Sequence, residues 1–185
     1  MSVPVDLDQA CGEHFVYRDL IACGETWHRL TEQVGMPFDN VPRAADTFAA
    51  IRALCAVVLD PVARHFGRVE LTYAFASSRL TKHVPGRIHP PLDQHAGHEV
   101  NRTGKPVCSR LGLAADFVIP GTDSHEVARW VAEHTAFDRL YFYGSDRPIH
   151  VSVGPESTRQ VVSMRRGPSG RLVPQVVRVD HFRKE

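Results

Sequence analysis

Residues 46–66 constrain this chain more than any other stretch. Phe48, Ile51, Leu54, Cys55, Val58 and Val62 recur at helical spacing, so a helix here carries a continuous apolar stripe that must be covered. Gly67 supplies a C-terminal stop, and Pro61 predicts a kink or a break inside the helix. Residues 69–75 then alternate and are rich in β-formers, which predicts a strand directly after the helix. A helix with one apolar face followed at once by a half-buried strand points to helices packed on a sheet.

The rest of the chain fits that frame. Residues 1–16 read as irregular. Residues 17–30 predict a short helix with Leu20, Ile21 and Trp27 inward and Gly24 interrupting the pattern. Residues 35–42 are a loop. Residues 114–120 predict a second strand, and residues 123–134 a helix opened by the pair Asp123 and Glu126. Short strands at 140–143 and 149–153 flank a Gly144-Ser145-Asp146 turn. Residues 160–164 and 172–179 form a hairpin around Gly167-Pro168-Ser169-Gly170. The expectation is one α+β domain over residues 1–185, with a small, mainly antiparallel sheet flanked by helices. Residues 76–111 hold four prolines, three glycines and four histidines. That is too long for a plain connector and points to function or partial helix.

Composition narrows the function classes. Hydrophobic residues at 43% and charged residues at 23% are ordinary for a globular protein. A net charge of +1 gives no overall field for nucleic acid. No apolar run is long enough to span a bilayer, and residues 1–8 lack the basic and apolar regions of a signal peptide, so a cytoplasmic location without membrane attachment is expected. Cys11, Cys23, Cys55 and Cys108 lack CxxC spacing, which predicts free thiols. The segment from Arg159 carries Arg165, Arg166, Arg171, Arg178, Arg183 and Lys184 against Asp180 and Glu185. A basic hairpin of this kind is either a solvated face or a contact for nucleic acid or another acidic partner.

Chemistry concentrates in three short segments, Asp93-Gln94-His95, Gly112-Leu113-Ala114-Ala115-Asp116 and Ile149-His150-Val151-Ser152. Two imidazoles and one carboxylate can hold zinc and leave a fourth position for water, as a catalytic site requires. The same donor set holds non-haem iron, so iron stays open beside zinc. Each residue also has a plain structural reading: His150 as a surface side chain of a half-buried strand, Asp116 as a cap, His95 as part of a polar loop. His98, Glu99 and Cys108 are further donors or orienting groups.

These elements together resemble the zinc D-alanyl-D-alanine carboxypeptidases, metallopeptidase family fifteen, which share the Hedgehog-like fold. The resemblance runs from about residue 14 to residue 152. It rests on Val58-Leu59-Asp60-Pro61, Phe66-Gly67, Leu71-Thr72-Tyr73, the Gly-x-Ala-x-Asp element, Phe137-Asp138-Arg139-Leu140 and the closing His150-Val151-Ser152. It implies that His95, Asp116 and His150 bind zinc and that the chain hydrolyses a small peptide or amide. Three departures accompany it. The family's first histidine stands seven residues before the aspartate, where this chain has Ser109, so residues 96–110 read as an insertion. The family's arginine after the strand is replaced by Ala74-Phe75-Ala76-Ser77, which leaves Arg79, or Arg110, to hold a substrate carboxylate. The family's glutamate base is missing between Phe137 and His150; Asp146 is the carboxylate that can replace it, with Tyr143 as a second polar group. A wall peptidase also has to reach the wall, and without an export signal the alternative is a metal-binding protein that is no longer a peptidase, or another metal-dependent reaction on the same scaffold.

Overall fold

A computed structural model describes residues 6–85, 89–168 and 170–182. The N-terminal third is helical: α1 (Tyr17–Ile21), α2 (Glu25–Val34), α3 (Ala45–Leu54), a wide turn of helix over Cys55–Leu59, and α4 (Asp60–Phe66). Strand β1 (Glu70–Tyr73) follows, then the short helix α5 (Ser78–Thr81) and two 3-10 turns, Pro90–Leu92 and Gln94–Ala96. The remaining elements are β2 (Leu113–Val118), α6 (Ser124–His134), β3 (Arg139–Phe142), β4 (Ile149–Val153), β5 (Gln160–Arg166), β6 (Leu172–Val177) and α7 (Val179–Phe182). The six strands form one sheet in the order β1-β2-β4-β3-β5-β6. Only β3 and β5 pair in parallel. The fold is therefore α+β with a mainly antiparallel sheet, as expected from the order of elements.

Two helical expectations change in detail. The helix expected over 17–30 is two helices, because Gly24 adopts φ +85° and a β-carbon there would lie 2.7 Å from the Thr72 carbonyl oxygen. The chain turns at Gly24 to let β1 approach. The stretch 46–66 does not break at Pro61. Proline lacks an N–H and its ring crowds the carbonyl four residues back, so the preceding turn widens instead, with the Asp60 N–H bonded to the Cys55 carbonyl. The stripe stays continuous: Ile51, Leu54, Cys55, Val58, Leu59 and Val62 are all fully buried.

The strand period of two separates the faces of the sheet. Ala115 and Phe117 of β2, Leu140 of β3, and Ile149 and Val151 of β4 join the main core with the helical stripe and with Val127 and Val131 of α6. The alternate residues, Asp116, Tyr141 and His150, stand on the other face. The 3-10 turn Gln94–Ala96 packs onto that face, so this part of the long segment forms a roof over the sheet. Asp123 accepts from the His125 N–H at the start of α6 (2.7 Å). At the far end, the Arg159 guanidinium donates to the carbonyls of Thr135 and Ala132 and lies over the Phe137 ring. This first arginine of the expected basic tail thus closes a helix C-terminus. Arg183 and Lys184 lie outside the described residues. No helix among the described residues is long and apolar enough to cross a membrane.

Candidate metal centre

The register of the sheet assembles the site. Asp116 pairs with His150 across β2 and β4, and His150 pairs with Tyr141 across β4 and β3. On the other side a bulge between Leu71 and Tyr73 sets Tyr73 opposite Asp116. A bulge re-aims the residue after it, and here it turns Tyr73 onto the site face, its ring 4.3 Å from that of His95. Tyr73, Asp116, His150 and Tyr141 therefore form one row across four strands. The extra residue, Thr72, donates its hydroxyl to the Asp116 carbonyl at 3.1 Å.

His95 reaches this row from the roof. Asp93 accepts from the His95 N–H and so starts the 3-10 turn. Gln94 is almost fully buried. Its oxygen accepts from the Ser152 hydroxyl at 2.8 Å, and its amide donates to the Leu111 carbonyl and to Asp138. The Ala76 N–H donates to the His95 carbonyl, tying the turn to the chain after β1. The His95 side chain then donates from Nδ1 to the Ala74 carbonyl at 2.8 Å. A carbonyl can only accept, so this bond fixes the tautomer and leaves Nε2 facing the row.

The three donors meet. His95 Nε2 lies 3.3 Å and His150 Nδ1 2.7 Å from Asp116 Oδ1. Donor atoms of all three lie within 4.8 Å of one another, and they are the one such group of His, Cys, Asp or Glu among the described residues. Tetrahedral zinc with bonds of about 2.0–2.2 Å places its donors roughly 3.3 Å apart. The His95–Asp116 separation already matches, and the His150–Asp116 pair needs to open by only about half an ångström. With the third separation, His95 to His150, within 4.8 Å, the three residues could hold a divalent ion. Burial opposes the charge on Asp116, but His95 and His150 outweigh it and hold the carboxyl well below the usual range. Burial likewise opposes protonation of His95, and the Asp116 carboxylate outweighs it, so the imidazole sits above its ordinary value. A metal ion at this site would compete with the proton that Asp116 favours on His95.

The other candidate donors have other tasks. His98 Nε2 accepts from the Gly112 N–H at 3.1 Å. Glu99 accepts from the Arg43 and Ala44 N–H groups and the Thr47 hydroxyl, which closes the N-terminus of α3. Cys108 is fully buried, and burial pushes its thiol up, against the thiolate a metal needs.

A cavity of about 470 Å³ opens over the three donors, walled by Tyr73, Tyr141, Tyr143, Asp93 and Arg110. Arg110, expected as a substrate group, is in this wall and donates to the Leu92 carbonyl. Arg79 is not. It is an exposed side chain paired with Asp39 at 2.8 Å and stacked over Phe38. Asp146 is also outside this cavity; it borders the neighbouring one, which shares Asp116 and Tyr143. The carboxylate that joins Asp116 in the donor cavity is Asp93, two residues before His95. Its place in Asp93-Gln94-His95 was the available signal, but nothing local distinguishes it from an ordinary turn cap. Desolvation first, and the charge of Asp116 among the lesser causes, push the partly covered Tyr143 phenol above its ordinary value.

Comparison with protein-family models, with curated proteins and with solved structures yields no match to this chain.

Proposed function

We propose that this protein is a zinc-dependent hydrolase that cleaves a peptide or amide bond, similar to the D-alanyl-D-alanine carboxypeptidases. The observation that carries the reading is the meeting of His95, Asp116 and His150 within 4.8 Å on the floor of an open cavity. Two imidazoles and a carboxylate satisfy three corners of a tetrahedron, and the cavity leaves the fourth to solvent. Bound zinc supplies Lewis acidity and a nucleophile available at neutral pH.

The protein's own groups supply the rest. The Ala74 carbonyl holds His95 in one tautomer, and the Asp116–His150 strand pair fixes the other two donors. Asp93 is the carboxylate of the cavity that remains outside the metal group, and one of its oxygens is committed to the His95 N–H. It takes the proton from the attacking water and returns it to the leaving nitrogen. Tyr143 and Tyr141 line the same wall and donate hydrogen bonds to the oxygen that gains charge as the carbonyl is attacked. Arg110 holds a substrate carboxylate.

The test combines metal analysis with assay on D-Ala-D-Ala-ended peptides, with and without chelator. The expected result is one zinc per chain, chelator-sensitive cleavage, and loss of zinc in His150→Ala. Asp93→Asn retains zinc and loses about 100-fold or more in kcat, whereas Asp146→Asn stays within a few-fold of the parent. Zinc bound without any cleavage supports a metal-binding protein that is not a peptidase. Absence of metal from zinc-supplemented protein ends the hydrolase reading.

A further inference from the structure

The donor cavity has a second compartment, of about 560 Å³, beyond Asp116 and Tyr143. We propose that this compartment is a subsite for a carboxylate-bearing residue next to the scissile bond, held by Arg147 and Arg166. The proposal rests on the hydrolase reading and specifies its substrate as an acidic peptide or amide.

Continuity comes first. Asp116 and Tyr143 border both compartments, so a chain bound over the metal group extends into the second one without leaving the wall. The lining offers both apolar and charged contacts. Met164, Leu172 and Pro148 give apolar contact, and Arg147 and Arg166 project from the turn before β4 and from the end of β5. A carboxylate on a short aliphatic stem matches that division.

Charge comes second. Arg18, Arg64, Arg79 and Arg139 each pair with an acidic side chain. Among the described residues, no carboxylate lies within 4.0 Å of Arg147 or Arg166, although Asp146 borders the same compartment. Among the described residues, the Arg166 guanidinium donates a long bond, 3.3 Å, to the Gly170 carbonyl. Two guanidiniums without an acid partner beside an apolar floor select a planar anion, which the guanidinium fork binds in bidentate fashion. Arg166, from the basic region, and Arg147, from the turn before β4, thus read as specificity groups.

The test uses the full chain, both metal-free and zinc-supplemented, titrated with N-acetyl-glutamate amide and its neutral isostere N-acetyl-glutamine amide by heteronuclear NMR. The acidic probe is expected to bind about tenfold more tightly than the neutral one. It should shift the amides of Arg147 and Met164 and weaken as salt is raised. Arg147→Gln and Arg166→Gln each reduce the preference and together abolish it, while Arg147→Lys keeps part of it. Both side chains are exposed, so unchanged unfolding midpoints will establish that the variants fold. Equal binding of the two probes overturns the proposal. So does a preference that survives in the double variant, or one that appears only with zinc and ignores both arginines, since the carboxylate would then be on the metal. Zinc failing to bind removes the hydrolase reading, while the metal-free comparison of the two probes still decides the subsite.

Discussion

Gly112 opens β2 and belongs to the Gly-x-Ala-x-Asp element that carries Asp116. Its φ is +78°, and a β-carbon there would lie 1.9 Å from the Val153 carbonyl oxygen and 2.7 Å from the Gly154 α-carbon. Both atoms are backbone at the end of β4, so no side-chain rotation relieves the clash. Gly104 is the matched control: its φ is also +78°, and nothing lies within 4 Å of its added β-carbon. Gly104→Ala therefore measures the left-handed backbone alone, about 1 kcal/mol. Gly112→Ala carries the same term plus the displacement of one strand end from another, which overpacking data put at about 1–3 kcal/mol. The expected loss at Gly112 is about 2–4 kcal/mol, or roughly 4–16 °C in Tm for a chain of this size. The assay is urea unfolding of both variants, with zinc titration of each. Because the displaced strands are those carrying Asp116 and His150, Gly112→Ala should also weaken zinc binding and Gly104→Ala should not. Equal stability losses in the two variants would refute the close-approach reasoning, whatever the absolute values.

Two further outcomes test how the site is supported. Burial opposes the charge on Asp138, but hydrogen bonds from Thr158 and Gln94 and the charge of Arg139 outweigh it and hold the carboxyl below its usual range. A carboxyl depressed in the folded state stabilises it above the unfolded value of about 3.9 and loses that contribution as pH falls through the folded value. The stability gap between the parent and Asp138→Asn should be full at neutral pH and shrink below about pH 4; a gap independent of pH in acid unfolding would count against this account. Asp60, buried where the helix widens, accepts from the Glu13 and His14 N–H groups at 2.9 and 3.0 Å. Asp60→Ala leaves two donors without their acceptor, and it should cost about 2–4 kcal/mol and speed amide exchange at Glu13 and His14; unchanged exchange there would show that the anchor does not act as described.

Much of the site was readable before the fold. Asp116 and His150 sit in strands whose alternation is local, and their neighbours Ala115, Ile149 and Val151 mark the opposite face as core. His95 was readable as a residue type in a suggestive segment, but the sixteen positions that follow it carry no periodicity that fixes where it points. Its aim depends on Gln94, whose partners lie at Leu111, Asp138 and Ser152, and on the carbonyl of Ala74. Those bonds join segments 17 to 58 positions apart. Arg79 and Asp146 fail to reach the donor cavity for the same reason. Proximity along the chain put them near site elements, whereas the pairing with Asp39 and the course of the turn before β4 took them elsewhere.

Local chemistry in the sequence determined the helical stripe of residues 46–66, the strand character of the second half, and the α+β class, because each depends on side-chain periods of a few residues. It also supplied the two imidazoles and the carboxylate. Only the tertiary structure decided that these three share one point, that Asp93 and Tyr143 stand beside them, and that Arg147 and Arg166 face a second compartment. Strand order, the bulge before Tyr73 and the seating of the roof are set by pairings between distant segments, and nothing within a local window of sequence encodes which pairings close.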